Sequence, residues 1–191
     1  MRSAWIGTWS PGIGDPTIGG WVTVALYAWG AWACLRVLQR ARRGCIFLND
    51  NERVIWRLLM VGMIALGINK QLDLQSAMTE LARILAFQQG WYENRRQYQE
   101  AFIAAVPVVG LTILAAISLL VWNAHAATRW ACAGAAALVI FVALRAVSFH
   151  HVDEMLGWRM GGVPLNWVLE MGSLLVIGWG AHTRASTPAR I

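Results

Sequence analysis

Charge is scarce in this chain. Of its 191 residues only 14% are Asp, Glu, Lys or Arg, while 58% are apolar and the mean hydropathy is +0.49. That balance excludes an ordinary soluble domain, in which about a quarter of residues are charged. Cysteine is sparse too. Cys34, Cys45 and Cys132 show no C-x-x-C spacing, so neither a thiolate metal site nor a disulfide framework is expected. The signatures of soluble catalysis are missing: there is no G-x-S-x-G elbow, no P-loop and no H-E-x-x-H pair. No internal repeat, low-complexity tract or composition shift marks a boundary, so residues 1–191 read as one domain. The formal charge of +6 comes without a soluble basic face interleaved with aromatics, and nucleic acid is therefore not an expected partner.

The chain does have long apolar runs. Five of them, over residues 17–35, 54–74, 101–124, 130–149 and 163–181, are near the roughly 20 residues needed to cross the hydrocarbon of a bilayer. The expected fold is all-α, a five-span transmembrane helical bundle with the lipid bilayer as its first partner. Two runs are impure. Arg57 and Lys70 bracket the uncharged centre of the second, and Arg145 interrupts the fourth; long cationic side chains in such places are expected to snorkel towards water. Between the second and third runs, Leu74, Ala77, Met78, Leu81, Ile84 and Leu85 recur at helical spacing and predict an amphipathic interfacial helix over about 75–89. An unbroken helix from Val54 to Gln88 would be about 50 Å long. A bend is expected instead, with Gly90 ending the second piece. Pro107 is expected to kink the third span.

Arginine placement orients the bundle, because short loops rich in Lys and Arg stay cytoplasmic. The loop after the first run carries Arg36, Arg40, Arg42, Arg43 and Arg53, and Arg129, Arg184 and Arg190 fall on the same side. The amino terminus is thus expected outside and the carboxyl terminus in the cytoplasm. Arg83, Arg95 and Arg96 in the long outer loop are accompanied by Glu80, Glu93 and Glu100. Tryptophans such as Trp5, Trp9 and Trp167 on one side, and Trp32, Trp122 and Trp179 on the other, form the two interfacial belts expected of indoles. All three cysteines map to the inner half, where thiols stay reduced. The Pro- and Gly-containing stretch from Trp9 to Thr17 lacks the basic start of a signal peptide. It reads as an ordered turn or lid on the outer surface, with Asp15 or Thr17 placed to cap the first helix.

The polar residues converge at the outer end. A carboxylate in the middle of an apolar run, as Glu170 is, costs several kcal/mol, about 3 on insertion scales, unless paired, protonated or in contact with water. Lys70 and Asp73 end the second run, Arg145, His150, His151, Asp153 and Glu154 end the fourth, and Asn166 and Glu170 open the fifth. Arg145 and Glu170 both fall roughly 8 to 10 Å below the outer surface. Glu170 is therefore expected to pair with Arg145 or Lys70 in a water-accessible funnel. Lys70, Gln71, Gln75, Arg145 and Asn166 are candidate binding residues, and Asp73 and Glu170 candidate acid–base groups. The helical i, i+3 and i, i+4 spacings among His150, His151, Asp153 and Glu154 let two side chains reach one divalent metal such as zinc, with Glu170 or Asp73 as a third ligand.

Gly14-Asp15-Pro16-Thr17, Gly67-Ile68-Asn69-Lys70-Gln71-Leu72-Asp73-Leu74-Gln75, Gln89-Gly90-Trp91-Tyr92, Phe149-His150-His151-Val152-Asp153 and Asn166-Trp167-Val168-Leu169-Glu170 together resemble a group of small uncharacterised polytopic membrane proteins from bacteria. The resemblance covers most of the chain and implies a bacterial inner-membrane location, but brings no activity with it. A looser likeness is to alkaline-ceramidase-type membrane hydrolases, in which His and Asp from several helices hold zinc. This chain departs from them in having fewer spans and no second outer His pair. Three functions follow as expectations. The outer polar cluster binds an ion, a lipid headgroup or a partner helix; or the His/Asp/Glu cluster serves a metal-dependent hydrolase of a lipid-like substrate; or Glu170 and Lys70 relay charge in a small proton- or ion-coupled transporter. Small-residue stretches such as Ala131 to Ala137 permit close packing, within the chain, in a homo-oligomer or with a membrane partner subunit.

Overall fold

The computed structural model describes residues 6–10, 12–90, 105, 108, 110–112, 114–147, 159–160 and 163–187. Helix α1 spans Ile18–Arg42. Thr17 caps it, its hydroxyl accepting the Gly20 N–H at 3.1 Å, while Asp15 Oδ1 accepts from the Thr17 hydroxyl at 2.6 Å and the Thr17 amide at 3.2 Å. The two residues expected to cap therefore act in series. The helix outruns the apolar segment by two turns, since nothing before Gly44, with its φ of +71°, stops it. Arg40 and Arg42 in that last turn complement the negative end of the helix dipole.

Helix α2 spans Asp50–Leu72 and is capped by Asn49, whose side chain accepts the Glu52 N–H at 2.7 Å. Asp73 then adopts the left-handed conformation (φ 49°, ψ 49°) and separates α2 from α3, Leu74–Gln88. Few side chains tolerate that backbone, and aspartate is among those that do. The expected bend is thus made at one residue. Gly90, at φ +73°, follows the end of α3 as expected.

Helix α4, Gly110–Leu120, represents part of the expected third span; Pro107 lies outside the described residues. Helix α5 is Ala126–Val147, and α6 is Leu165–Ser186. Before α6 a two-residue hairpin pairs β1, Arg159–Met160, with β2, Val163–Pro164.

Helix α1 packs against α2 and α6, α5 packs against α6, and α5 also meets α2, where the Thr128 hydroxyl donates to Glu52. Cys34, Val37, Leu48, Trp56, Leu138, Leu174 and Ile177 fill the shared core. Helices α5 and α6 meet through small residues: a Cβ at Gly180 would lie 2.7 Å from the Ala127 carbonyl oxygen and 3.0 Å from the Ala131 Cβ. The expected close packing of the Ala131 stretch is used within this chain.

Among the described residues three helices are long and apolar enough to cross a membrane, at Ile18–Arg42, Asp50–Leu72 and Ala126–Ala143. The α2 flank away from α1 carries exposed Leu58, Val61, Ile64 and Ile68, where a helix in water would carry charge. Five spans were expected. Helix α6 has the length, with 22 residues, but it carries Glu170 and Arg184 within them, and residues 101–124 are described only in part.

Substituting Gly180→Ala forces α5 and α6 apart and is expected to destabilise the protein by about 1 to 3 kcal/mol, the usual cost of overpacking. Gly172→Ala on the same helix meets nothing within 4 Å. Thermal melts of the two variants in detergent check the contrast: a Gly180→Ala protein as stable as Gly172→Ala contradicts the close α5–α6 contact.

A candidate polar site at the Glu170 end

Glu170 lies in the second turn of α6 and is only 4% exposed. Its carboxylate is held from two helices. Lys70, in the last turn of α2, donates from Nζ to Oε2 at 3.0 Å, and Tyr27, on the intervening face of α1, donates its hydroxyl to Oε1 at 3.2 Å. Asp15 Oδ2 lies 3.9 Å from the same Nζ. A charge-assisted bond plus a phenol hydroxyl satisfies both carboxylate oxygens, which offsets much of the desolvation cost of burying the group. Lys70 is the chain's only lysine. Instead of snorkelling to water it turns into the bundle.

Beside this pair is a cavity of about 60 Å³ lined by Tyr27 from α1, Leu66, Asn69 and Lys70 from α2, Asp73 at the α2–α3 break, Phe141 and Val142 from α5, and Glu170 from α6. Each water needs about 10 to 15 Å³ of such volume, so the space admits several waters or one small polar group. Asp73 stands exposed at the rim. Its carboxylate, with those of Asp15 and Glu170, outnumbers the single ammonium group, so the mouth carries excess negative charge.

A strap formed by the residues before α1 runs beside Lys70, Asp73 and Glu80. Its first turn is closed by the Ile6–Trp9 bridge. The Thr8 hydroxyl donates to Glu80 Oε1 at 2.6 Å, Arg83 Nη2 donates to Glu80 Oε2 at 2.5 Å, and the Gly14 N–H donates to the Gln71 carbonyl at 2.7 Å. Gly14 is needed for the approach: a Cβ there would lie 3.0 Å from the Lys70 carbonyl oxygen and 3.1 Å from the Asp73 Cβ. The strap thereby carries Asp15 to Lys70. The Thr8 hydroxyl, and after it Arg83, holds the Glu80 carboxyl below the ordinary glutamate value.

Of the expected site residues, the structure joins Lys70 and Glu170 and sets Asp73 beside them. Gln71 contributes its backbone carbonyl, and its side-chain amide is buried without a hydrogen-bond partner among the described residues. Asn166 turns to its own helix start, accepting the Trp167 N–H at 2.8 Å. Gln75 lies in α3 and Arg145 in the last turns of α5, but their side chains fall outside the described residues, as do His150, His151, Asp153 and Glu154 entirely. The four clustered metal ligands expected at His150, His151, Asp153 and Glu154 thus lie outside the described residues; among the described residues no group of three or more His, Cys, Asp or Glu side chains could hold a metal ion.

Sequence reasoning missed Tyr27, Asn69 and a second buried ion pair at the opposite end of the bundle. There Glu52, 4% exposed, faces Arg184 with Nη2 to Oε2 at 3.5 Å. Glu52 Oε1 also accepts from the Thr128 hydroxyl at 2.6 Å and the His125 N–H at 3.2 Å, and Arg184 donates to the Phe47 carbonyl. The signal was present. Glu52, Trp56, Leu59 and Met63 share one helical face, and the last three belong to the core.

No family model, no curated protein and no solved structure matches this chain.

Lys70→Met leaves Glu170 buried without its cation and is expected to cost about 3 to 5 kcal/mol, whereas Lys70→Met combined with Glu170→Met is expected to recover much of that loss. A double-mutant cycle from thermal melts decides it; additive losses would show that the two groups do not interact. Because the folded-state value of Glu80 is depressed, the strap contact is fully present above the ordinary value of 4.5 and is lost as pH falls through the lower folded value. Hydrogen exchange at the Gly14 amide, relative to its intrinsic rate, should accelerate across that acid range in the parent. Thr8→Val should flatten the response.

Proposed function

We propose that the chain is a multi-pass membrane protein whose Glu170-end pocket binds a small cation or a cationic headgroup. One observation carries this reading: an almost fully buried carboxylate, paired with the chain's single lysine, borders a polar cavity whose mouth has more carboxylates than cations. A purely structural ion pair needs no cavity beside it and no second and third carboxylate near its lysine. In this reading α4 and α6 join the three long apolar helices as spans, making five. The arginine-rich Glu52 end faces the cytoplasm and the Glu170 end faces outward, in accordance with the positive-inside rule. The resemblance to small bacterial polytopic proteins supports placement in the inner membrane. The strap then lies on the outer surface as a partial cover over the pocket. The hydrolase reading depends on His150, His151, Asp153 and Glu154, which the described geometry leaves aside.

A ligand that binds only the folded state raises its melting temperature. The purified protein is therefore melted in sodium, calcium or ethanolamine chloride against N-methylglucamine chloride at equal ionic strength. At least one of the three cations is expected to raise the midpoint, and the Asp15→Asn, Asp73→Asn variant to lose the increase. Equal midpoints in all four salts would overturn the reading.

A further inference from the structure

The groove between α1 and α6 at the Glu52 end holds positive charge, with no carboxylate among its described lining residues. Arg36 and Arg40 from α1 and His182 and Ser186 from α6 line a cavity of about 20 Å³, and Trp29 and Trp32 close its sides. The Arg36 guanidinium is stacked on Trp32, 4.9 Å from the ring centroid, which fixes its plane and leaves its edge free to donate. Arg40 Nε is buried and has no hydrogen-bond partner among the described residues. A buried N–H without an acceptor is rare in folded proteins and asks for an explanation. One wall is set by close helix packing: Gly178 of α6 lies against the Trp29 ring, and any Cβ there would overlap it.

The surroundings say which kind of anion. Trp32 and Trp179, 51% and 55% exposed, flank the groove on the outside of the bundle, and Leu35 continues the exposed apolar surface along α1. Indoles beside guanidinium groups, with an apolar flank below, match the boundary between lipid headgroups and acyl chains. The cavity has the volume of about one or two waters, so a phosphate group fits at its mouth rather than inside it, where the forked guanidinium donors suit phosphate oxygens.

We propose that this groove is a binding site for the phosphate headgroup of an anionic phospholipid, with Arg36 and Arg40 as its ligands and the acyl chains lying along α1 past Trp32. The inference rests on the membrane placement above but not on the Lys70 pocket, and the variants that test the two sites share no residue.

The full-length protein in detergent is mixed with equal amounts of dioleoylphosphatidylglycerol and dioleoylphosphatidylcholine, and retained lipid is read by native mass spectrometry. The parent is expected to favour phosphatidylglycerol. Arg36→Gln with Arg40→Gln should reduce that preference by about thirtyfold, the effect of two basic contacts at a membrane surface. Arg42→Gln with Arg43→Gln removes the same charge from the exposed end of α1 and should leave the preference in place. If the first double variant melts below the parent, single Arg36→Gln, which leaves the buried Arg40 untouched, replaces it and should still weaken retention. Equal losses in the two double variants would overturn the site in favour of general electrostatics, and absence of any preference in the parent would overturn it outright. Binding of inorganic phosphate through Arg40, without retention of either lipid, would reassign the groove to a free anion and likewise overturn the lipid proposal.

Discussion

Two buried ion pairs hold the ends of one pair of helices that do not themselves form a main packing interface. Helix α1 lies between α2 and α6, yet α2 reaches α6 at both ends, through Lys70–Glu170 and through Glu52–Arg184. Each of the two helices carries its carboxylate near the amino end and its cation near the carboxyl end. That order suits the helix dipole in both cases. It also decides topology: laid antiparallel, each acid meets a base, whereas laid parallel, acid would face acid and base would face base. The acid and base are about 27 Å apart along α2 and about 21 Å apart along α6 at 1.5 Å per residue. With both ends fixed, a slip of either helix by one turn breaks two pairs at once and exposes four charges to an apolar interior, so the register of the bundle is specified by electrostatics as well as by packing.

The two ends are built alike and used differently. At Glu52 the carboxylate is enclosed by the Thr128 hydroxyl, the His125 amide and the Arg184 guanidinium, and Arg184 spends a further donor on Phe47. These donors are all supplied by the protein's own groups. At Glu170 the donors among the described residues are Tyr27 and Lys70, and a cavity borders the carboxylate. One end is a lock, the other a pocket, and the difference lies in how many local donors surround the acid.

The pairing of Lys70 with Glu170 was legible because both interrupt apolar runs at matching depth, and a charge there has few alternatives. Thr17, Gly90 and the amphipathic face of α3 were legible for local reasons of capping, backbone freedom and periodicity. Tyr27 was not, because within a hydrophobic run a phenol counts as apolar and its hydroxyl shows only once a partner is in place. Glu52 escapes notice and Arg184 counts as a terminal charge because hydropathy marks where apolar side chains stop, not where the helix stops. Helices α1, α2 and α6 all extend past their apolar runs, to Arg42, back to Asp50 and on to Ser186, and so carry those charges inside the fold. The side chains of Arg145 and the His150–Glu154 cluster fall outside the described residues, and the expectations about them stand where the sequence left them.

Having a single lysine, and having it sealed into an ion pair, gives the protein an unusual chemical personality. Acylating reagents, aldehyde fixatives and amine-directed crosslinkers find no ready ε-amino group along the folded chain, because the one available is bonded to Glu170 and largely screened by its neighbours. The residue becomes reactive when its carboxylate partner is withdrawn or the bundle opens. The ε-amine at position 70 is in effect an internal probe, silent while the helices are in place and disclosed when they part.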